Sequence, residues 1–392
     1  MAEIDRLRRI CGRFKSLLRF CLHPLRASER SAELHRTAAF DSKRDFALRW
    51  SAVVVISVQR AELDAFLYEA GASMAKGLFS QSMCLLTDGR TTLSDLASAL
   101  RKQGFNIVKE SEPGPSWQFG GAALVVEYRA EANGYVAIDL VNELWPDGMG
   151  DRTVDVTTFG AWSMGHFGPW TFPGGLARAR QQAWSLAPAL AGKAHAGFVR
   201  LRLSYGFGAS QDAPVLPADY DPLDELTFLS RLALATAKSE GVLLYFNPNG
   251  EVLRDPDGFS RIWEECTSAD LIPLSLWINI RLFRLTDRLT MMDTVGNSQL
   301  DTVDIEAVFP TGQYDPADVD YYLRNVSLYL FNSDPEFKTG EAIDGPGETN
   351  LSWQIEVVEN GLSSPPRKVL RLYPKYNAQA VSDAVAALTA PG

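Results

Sequence analysis

Cysteine is scarce in this sequence. Only Cys11, Cys21, Cys84 and Cys266 occur among 392 residues, with neither CxxC pairing nor the spacing of a disulfide framework. That excludes a disulfide-stapled scaffold and leads us to expect a reducing compartment, the cytoplasm. Histidine is as sparse: His23 and His35 lie near the N-terminus, leaving only His166 and His195 beyond it, so no metal and no cofactor are expected. Long apolar runs are missing too. The best, "SAVVVISV" at 51–58, has the length of a strand, whereas a membrane-spanning helix needs about 18 or more apolar residues, so stable membrane insertion is not expected. No GxGxxG follows a strand pattern, no GxxxxGK[ST] occurs, and "GFGAS" at 206–210 is neither a P-loop nor a nucleophile elbow.

Positive charge is the last shortage. Thirty-eight Lys and Arg stand against 48 Asp and Glu, and the imbalance is uneven: residues 1–50 hold 12 basic and 6 acidic residues, leaving 26 against 42 beyond them. A body this acidic repels phosphate backbones and attracts basic surfaces. Direct nucleic-acid binding is therefore not expected, and a basic protein partner is.

Within the basic leader, Ile4, Leu7, Ile10, Phe14, Leu17 and Cys21 recur at helical steps, while Arg13, Lys15 and Arg19 interrupt any signal-peptide core. Residues 1–49 read as a basic N-terminal extension. From Trp50 onward the pattern alternates buried strands with amphipathic helices. "SMCLLTD", "FNIVKE", "GAALVVEYRA" and "GYVAIDLV" read as strands, and Thr92 as the cap of the helix "LSDLASALRKQ". The second half repeats the alternation: "GFVRLRLSY", "GVLLYF", a long strand "LSLWINIRLFRL", "RLTMMDTVG", "TVDIEAVF", "SWQIEVVE" and "RKVLRLYP" as strands. Helices follow "YDPLD" (220–224) and "YDPAD" (314–318), each with Asp at the cap and Pro in the first turn. The expected fold is α+β: two mixed domains, 50–192 and 193–392, with largely antiparallel sheets flanked by helices.

Three groups of residues invite a functional reading. The strip "GHFGPWTFPGGLARARQQAW" (165–184) joins His166 to aromatics, prolines and a helix start; nothing adjacent supplies an acid or nucleophile, so a structural lid or clasp is the expectation. In "DLVNELWPDGMGDRTVDV", Asp139, Glu143, Asp147, Asp151 and Asp155 recur every fourth residue, but Pro146, Gly148 and Gly150 break any helix and the calcium-loop pattern is absent, which leaves an exposed acidic loop. Arg200, Arg202, Arg281 and Arg284 fall at near-alternate strand positions and are expected on a solvent face, paired with acids.

"GVLLYFNPNGEVLRD", "LSLWINIRLFR", "MMDTVGNSQLDTVDIEAVFP", "DYYLRNVSLYLF", "GEAIDGPGE" and "RKVLRLYP", with "GAALVVEYRAEANGYVAIDLVNELWPD" and "WTFPGGLARARQQAW" upstream, resemble a bacterial family of uncharacterised domains found beside polymorphic and type VI secretion toxins. The likeness spans roughly residues 50 to 374, and by it the chain looks like an immunity protein of the TsiT type. It implies a cytoplasmic antitoxin, not an enzyme, that neutralises a type VI effector such as a nuclease by direct binding. The acidic segments 147–155 and 341–348 would then steer a basic toxin, with Asp147, Asp151, Asp155, Glu341, Asp344 and Glu348 as the partner-binding residues. Two alternatives come from other classes: a hydrolase using the 139–155 carboxylates with His166, and an adaptor or chaperone for a secreted protein that uses the basic leader.

Overall fold

The computed structural model describes residues 76–114, 116–183, 186–206, 215–347 and 351–389. The extension 1–49, the strand-length run at 51–58 and Glu348 lie outside these residues.

Two sheets organise the described chain. The first is antiparallel throughout, in the order β2-β3-β4-β5-β1-β6-β7, where β1 is Gln81–Thr87, β2 Ile107–Ser111, β3 Ala122–Arg129, β4 Gly134–Val141, β5 Gly197–Ser204, β6 Val242–Asn247 and β7 Val252–Arg254. The second, in the order β11-β12-β13-β10-β9-β8, contains β8 Asn279–Arg284, β9 Leu289–Val295, β10 Asp304–Pro310, β11 Ala342–Asp344, β12 Ser352–Val358 and β13 Val369–Pro374; only its β10–β13 pair is parallel. Nine helices flank these sheets among the described residues, so the α+β expectation holds.

Because β5, β6 and β7 all join the first sheet, the strands change sheets between Arg254 and Asn279, not near Gly192. The reason is register: β5 sits between β4 and β1, pairing Asp139 with Arg200 on one side and Cys84 with Arg200 on the other. An eight-residue strand buried along its whole length is the centre of a sheet, not the start of a new one.

Alternation assigns the two faces of the first sheet. Val199, Leu201 and Leu203 of β5 join Met83, Leu85, Val136 and Ile138 in a core covered by α1 (Leu93–Lys102) and α5 (Pro222–Ala237). Thr92 caps α1 in a reciprocal capping box with Asp95, and Asp221 caps α5 by accepting from Leu223 N, as their sequences demand. Phe198, Cys84, Leu86 and Val141 face the opposite way. That face is covered by irregular chain together with two short helices, α2 (Val156–Ser163) and α3 (Gly175–Gln181), through Trp145, Trp162, Phe167 and Leu176. A further turn of helix, α4, spans Pro188–Ala191.

In the second sheet, Ile305, Ala307 and Phe309 pack on α8 (Pro316–Ser333), capped by Asp315, while Met291, Val308 and Tyr373 pack on α9 (Ala378–Thr389). The link between sheets passes through α6 (Pro256–Ser268) and a single helical turn, α7 (Leu274–Trp277), where the sequence suggested continuous strand. Trp277 is fully buried there, donating from its indole to Ser230 Oγ at 2.9 Å and accepting at its carbonyl from Gln299 Nε2. Gly250 lies so close that a Cβ would stand 1.8 Å from that carbonyl oxygen, so only glycine fits beneath the turn.

Candidate functional site

The register of β4 on β5 places Asp139 opposite Arg200, with Arg202 one step along on the same face. All three are buried, which corrects the expectation of solvent-facing arginines; Arg284 alone of the four is partly exposed, beside Asp287 at 3.1 Å. Arg200 Nη2 lies 2.6 Å and Arg202 Nη2 3.0 Å from the Asp139 carboxylate, which also accepts from Gly121 N. Burial alone would raise that carboxyl, yet the charges of Arg202 and Arg200 carry it below its ordinary value.

One carboxylate cannot satisfy two guanidiniums. The remaining donors reach loop carbonyls: Arg200 binds Trp117 O at 2.7 Å and Gln118 O at 2.9 Å, and Arg202 binds Phe119 O at 3.2 Å. Arg202 Nε finds no hydrogen-bond partner, and burial, ahead of the repulsion from Arg200, lowers its guanidinium to about 10. The rings of Phe167 and Phe79 complete the enclosure, 5.3 Å from Arg200 and 4.7 Å from Arg202.

His166 belongs to this cluster. Its Nδ1 stands 3.0 Å from Phe119 O and 3.1 Å from Arg202 Nη1, and its ring meets Phe79 and Phe119 edge-on. Burial, then the charges of Arg202 and Arg200, pushes its pKa down to about 4. A ring held neutral by burial and two arginines is a weak base at neutral pH. Of the carboxylates of 139–155 only Asp139 shares this cluster, and it is held by Arg200 and Arg202. Asp147 accepts from Leu176 N and Ala177 N at the start of α3; Asp151 closes a turn on Thr153; Asp155 caps α2 through Thr157 N and Thr158 N; Glu143 is exposed. Glu341 and Asp344 are exposed, Glu341 accepting from Lys338 N and Asp344 lying on β11.

The rest of the strip fastens layers together. Gly168, at φ +128°, presses against Ser82 and Asn249, where any Cβ would collide with Ser82 Oγ at 2.2 Å. Asn249 accepts from Trp170 N and donates to Ser82 O, and the Trp162 indole donates to Thr171 O. Gln182 then reaches the second sheet, pairing with both backbone groups of Leu282 on its edge strand β8. A side chain that mimics a neighbouring strand in this way covers an otherwise open edge. The strip is a clasp.

Arg178 of the clasp leads into a second charged network. It grips Glu251, a buried residue in left-handed conformation (φ +52°), whose other oxygen takes Arg281 at 3.1 Å. Arg281 continues to Asp293 at 2.6 Å, Asp293 to Arg367 at 2.8 Å, and Arg367 to Asp304 at 2.9 Å. Strand register adds a row across five strands: Arg281, Asp293, Glu306, Arg371 and Glu356 stand side by side, with Glu306 and Arg371 paired at 2.9 Å. The adjacent like charges Asp293 and Glu306 coexist because each has its own arginine. Asp293 stays below its ordinary range, burial being outweighed by Arg281 and Arg367, whereas burial dominates at Asp304 and raises it. Of these residues the sequence reading singled out only Arg281; the overlooked signal was a single charge interrupting an apolar alternation, as in "MMD", "DIEAV" and "VLRL".

Comparison with known families places a domain of unknown function, DUF4261, on residues 293–373, well under half of the chain. That stretch supplies Asp293, Asp304, Glu306, Arg367 and Arg371, most of the second network. No curated protein and no solved structure matches the chain.

Proposed function

We propose that this protein is an antitoxin that neutralises a type VI secretion effector by binding it directly, as the sequence resemblance implies. The observation that supports this reading is the acidic excess that remains once the buried charges are set aside. Of 26 basic and 42 acidic residues beyond residue 50, the two networks take six arginines (178, 200, 202, 281, 367 and 371) and five acids (139, 251, 293, 304 and 306), so 20 basic residues face 37 acids elsewhere. Glu225 is buried as well, so folding leaves the acidic excess of the composition essentially in place to meet a cationic partner.

Apolar side chains stand among those acids. Leu144, Val154, Val156 and Met164 are exposed in the segment that carries Glu143 and Asp151, and α2 presents Val156 and Met164 at its two ends. Charge would steer association and these side chains would hold the complex. In a titration of the purified chain against the catalytic domain of the effector encoded beside it, the association rate should fall steeply between low and physiological salt. A complex whose rate ignores salt, or no complex at low salt, would contradict the proposal.

A further inference from the structure

Away from both networks, four segments converge on one ammonium group. Lys76, just before β1, places Nζ 2.8 Å from Asp301, 4.2 Å from the centre of the Tyr220 ring and 5.4 Å from that of Trp170. It also hydrogen-bonds Tyr220 Oη, which in turn bonds Asp301. Trp170 comes from the clasp, Tyr220 from the turn before α5, and Asp301, at φ +57°, from the link between β9 and β10. The Trp170 ring, the Tyr220 phenol and a carboxylate around one cation form an aromatic cage.

Three features set this cage apart. First, every other described lysine is exposed, and the buried cations of both networks are arginines; here the cation is a compact ammonium with a side chain only 5% exposed. Second, the surroundings hold more negative charge than Lys76 neutralises. Glu225 lies fully buried behind it, with Oε1 on Ser80 Oγ and Oε2 without a hydrogen-bond partner, and acts on Lys76 together with Asp301. Third, the cage has a way out: the Asp301 side chain is 44% exposed, and Leu78 and Val215 stand exposed nearby in sequence to Lys76 and Tyr220. Burial lowers the Lys76 pKa against the pull of Asp301, Glu225 and Asp221, so seating this lysine carries a desolvation cost.

We propose that the cage of Trp170, Tyr220 and Asp301 receives a lysine side chain of a basic protein partner, and that Lys76 is the chain's own occupant, displaced on binding. Exchange of one ammonium for another preserves the cage contacts, while the released Lys76 regains its hydration. The inference rests on the reading of the protein as a binder of a basic partner and names the chemistry that one contact uses.

The test uses the full chain and a short lysine-rich peptide, followed by Trp fluorescence and calorimetry, with the lysine-acetylated peptide as control. Emptying the cage with Lys76→Ala should tighten peptide binding on the order of tenfold, because the competing internal occupant is gone. Adding Trp170→Ala or Asp301→Ala should abolish that gain, and the acetylated peptide should show none. Lys76→Met, which keeps the aliphatic stem, serves if Lys76→Ala unfolds. No gain in either variant, or a gain that survives loss of Trp170 and Asp301, overturns the cage. Titrating the effector domain in parallel separates the two ideas: a salt-sensitive complex without a Lys76 effect removes the cage alone, whereas a peptide gain without an effector complex removes the antitoxin reading alone.

Discussion

In the first sheet two arginines share one acid, and the shortfall is met by carbonyl oxygens of Trp117, Gln118 and Phe119. In the second, four arginines meet four acids, and the arginines of β8 and β13 face acids of β9 and β10. The difference shows what each cluster holds. Guanidiniums in excess must find neutral acceptors, and the nearest ones belong to loops, so the first cluster binds irregular chain to a sheet. In the second cluster each arginine keeps an acid of its own, so it binds strand to strand while Arg281 and Arg367 also hold the 363–365 loop through Ser364 O and Pro365 O. Arg178 joins them, carrying the clasp from one system into the other.

The comparison breaks most readily at Asp139. Asp139→Asn leaves Arg200 and Arg202 without any acid, and unfolding in urea should show a loss of about 3–5 kcal/mol. Asp293→Asn should cost less, since Glu251 and Asp304 remain beside Arg281 and Arg367; equal costs would mean that the number of local acids is irrelevant. Arg178→Met comes next, at about 1.5–3 kcal/mol for a charged hydrogen-bonding group, with faster proteolytic nicking across 165–183 than elsewhere. Uniform sensitivity to protease would argue that the strip fastens nothing.

Smaller effects separate structural acids from steering acids. Asp155→Ala removes the cap of α2 and should cost about 1 kcal/mol. Asp151→Ala should stay within about 0.5 kcal/mol, while Asp151→Lys slows association with a cationic partner. If instead Asp155 proves neutral and Asp151 costly, the cap assignments are wrong. At neutral pH the smallest effect is that of His166, which enters only on acidification. Its folded pKa of about 4 lies below the ordinary 6.5, so between those values the unfolded chain binds a proton that the folded chain refuses. Stability should fall as pH drops from 6.5 toward 4, and His166→Phe should flatten that slope.

Much of the fold is legible in the residues. Thr92, Asp221 and Asp315 announce helix starts that the structure reproduces with their side-chain bonds. Alternation located every described strand of the first sheet except the three-residue β7, because apolar side chains at every second position have only one face to bury. At 274–277 the same rule failed: Leu, Trp and Ile read as strand, but Pro273 and the bond from Trp277 to Ser230 turn the chain instead. The charged clusters were out of reach for a different reason. Asp139 and Arg200 are 61 positions apart, and Glu306 and Arg371 are 65, so their pairing follows from register across strands that no local pattern encodes. An arginine in a strand ordinarily faces water; only the partner's position reveals that this one does not.

Co-expression with the neighbouring effector tests the account most directly, comparing the wild-type chain with His166→Phe. A binder whose strip is a clasp should protect equally in both forms and yield the same isolable complex, weakened by salt. Protection that is lost in His166→Phe while the complex still forms would show that the histidine performs chemistry, and the account would fail.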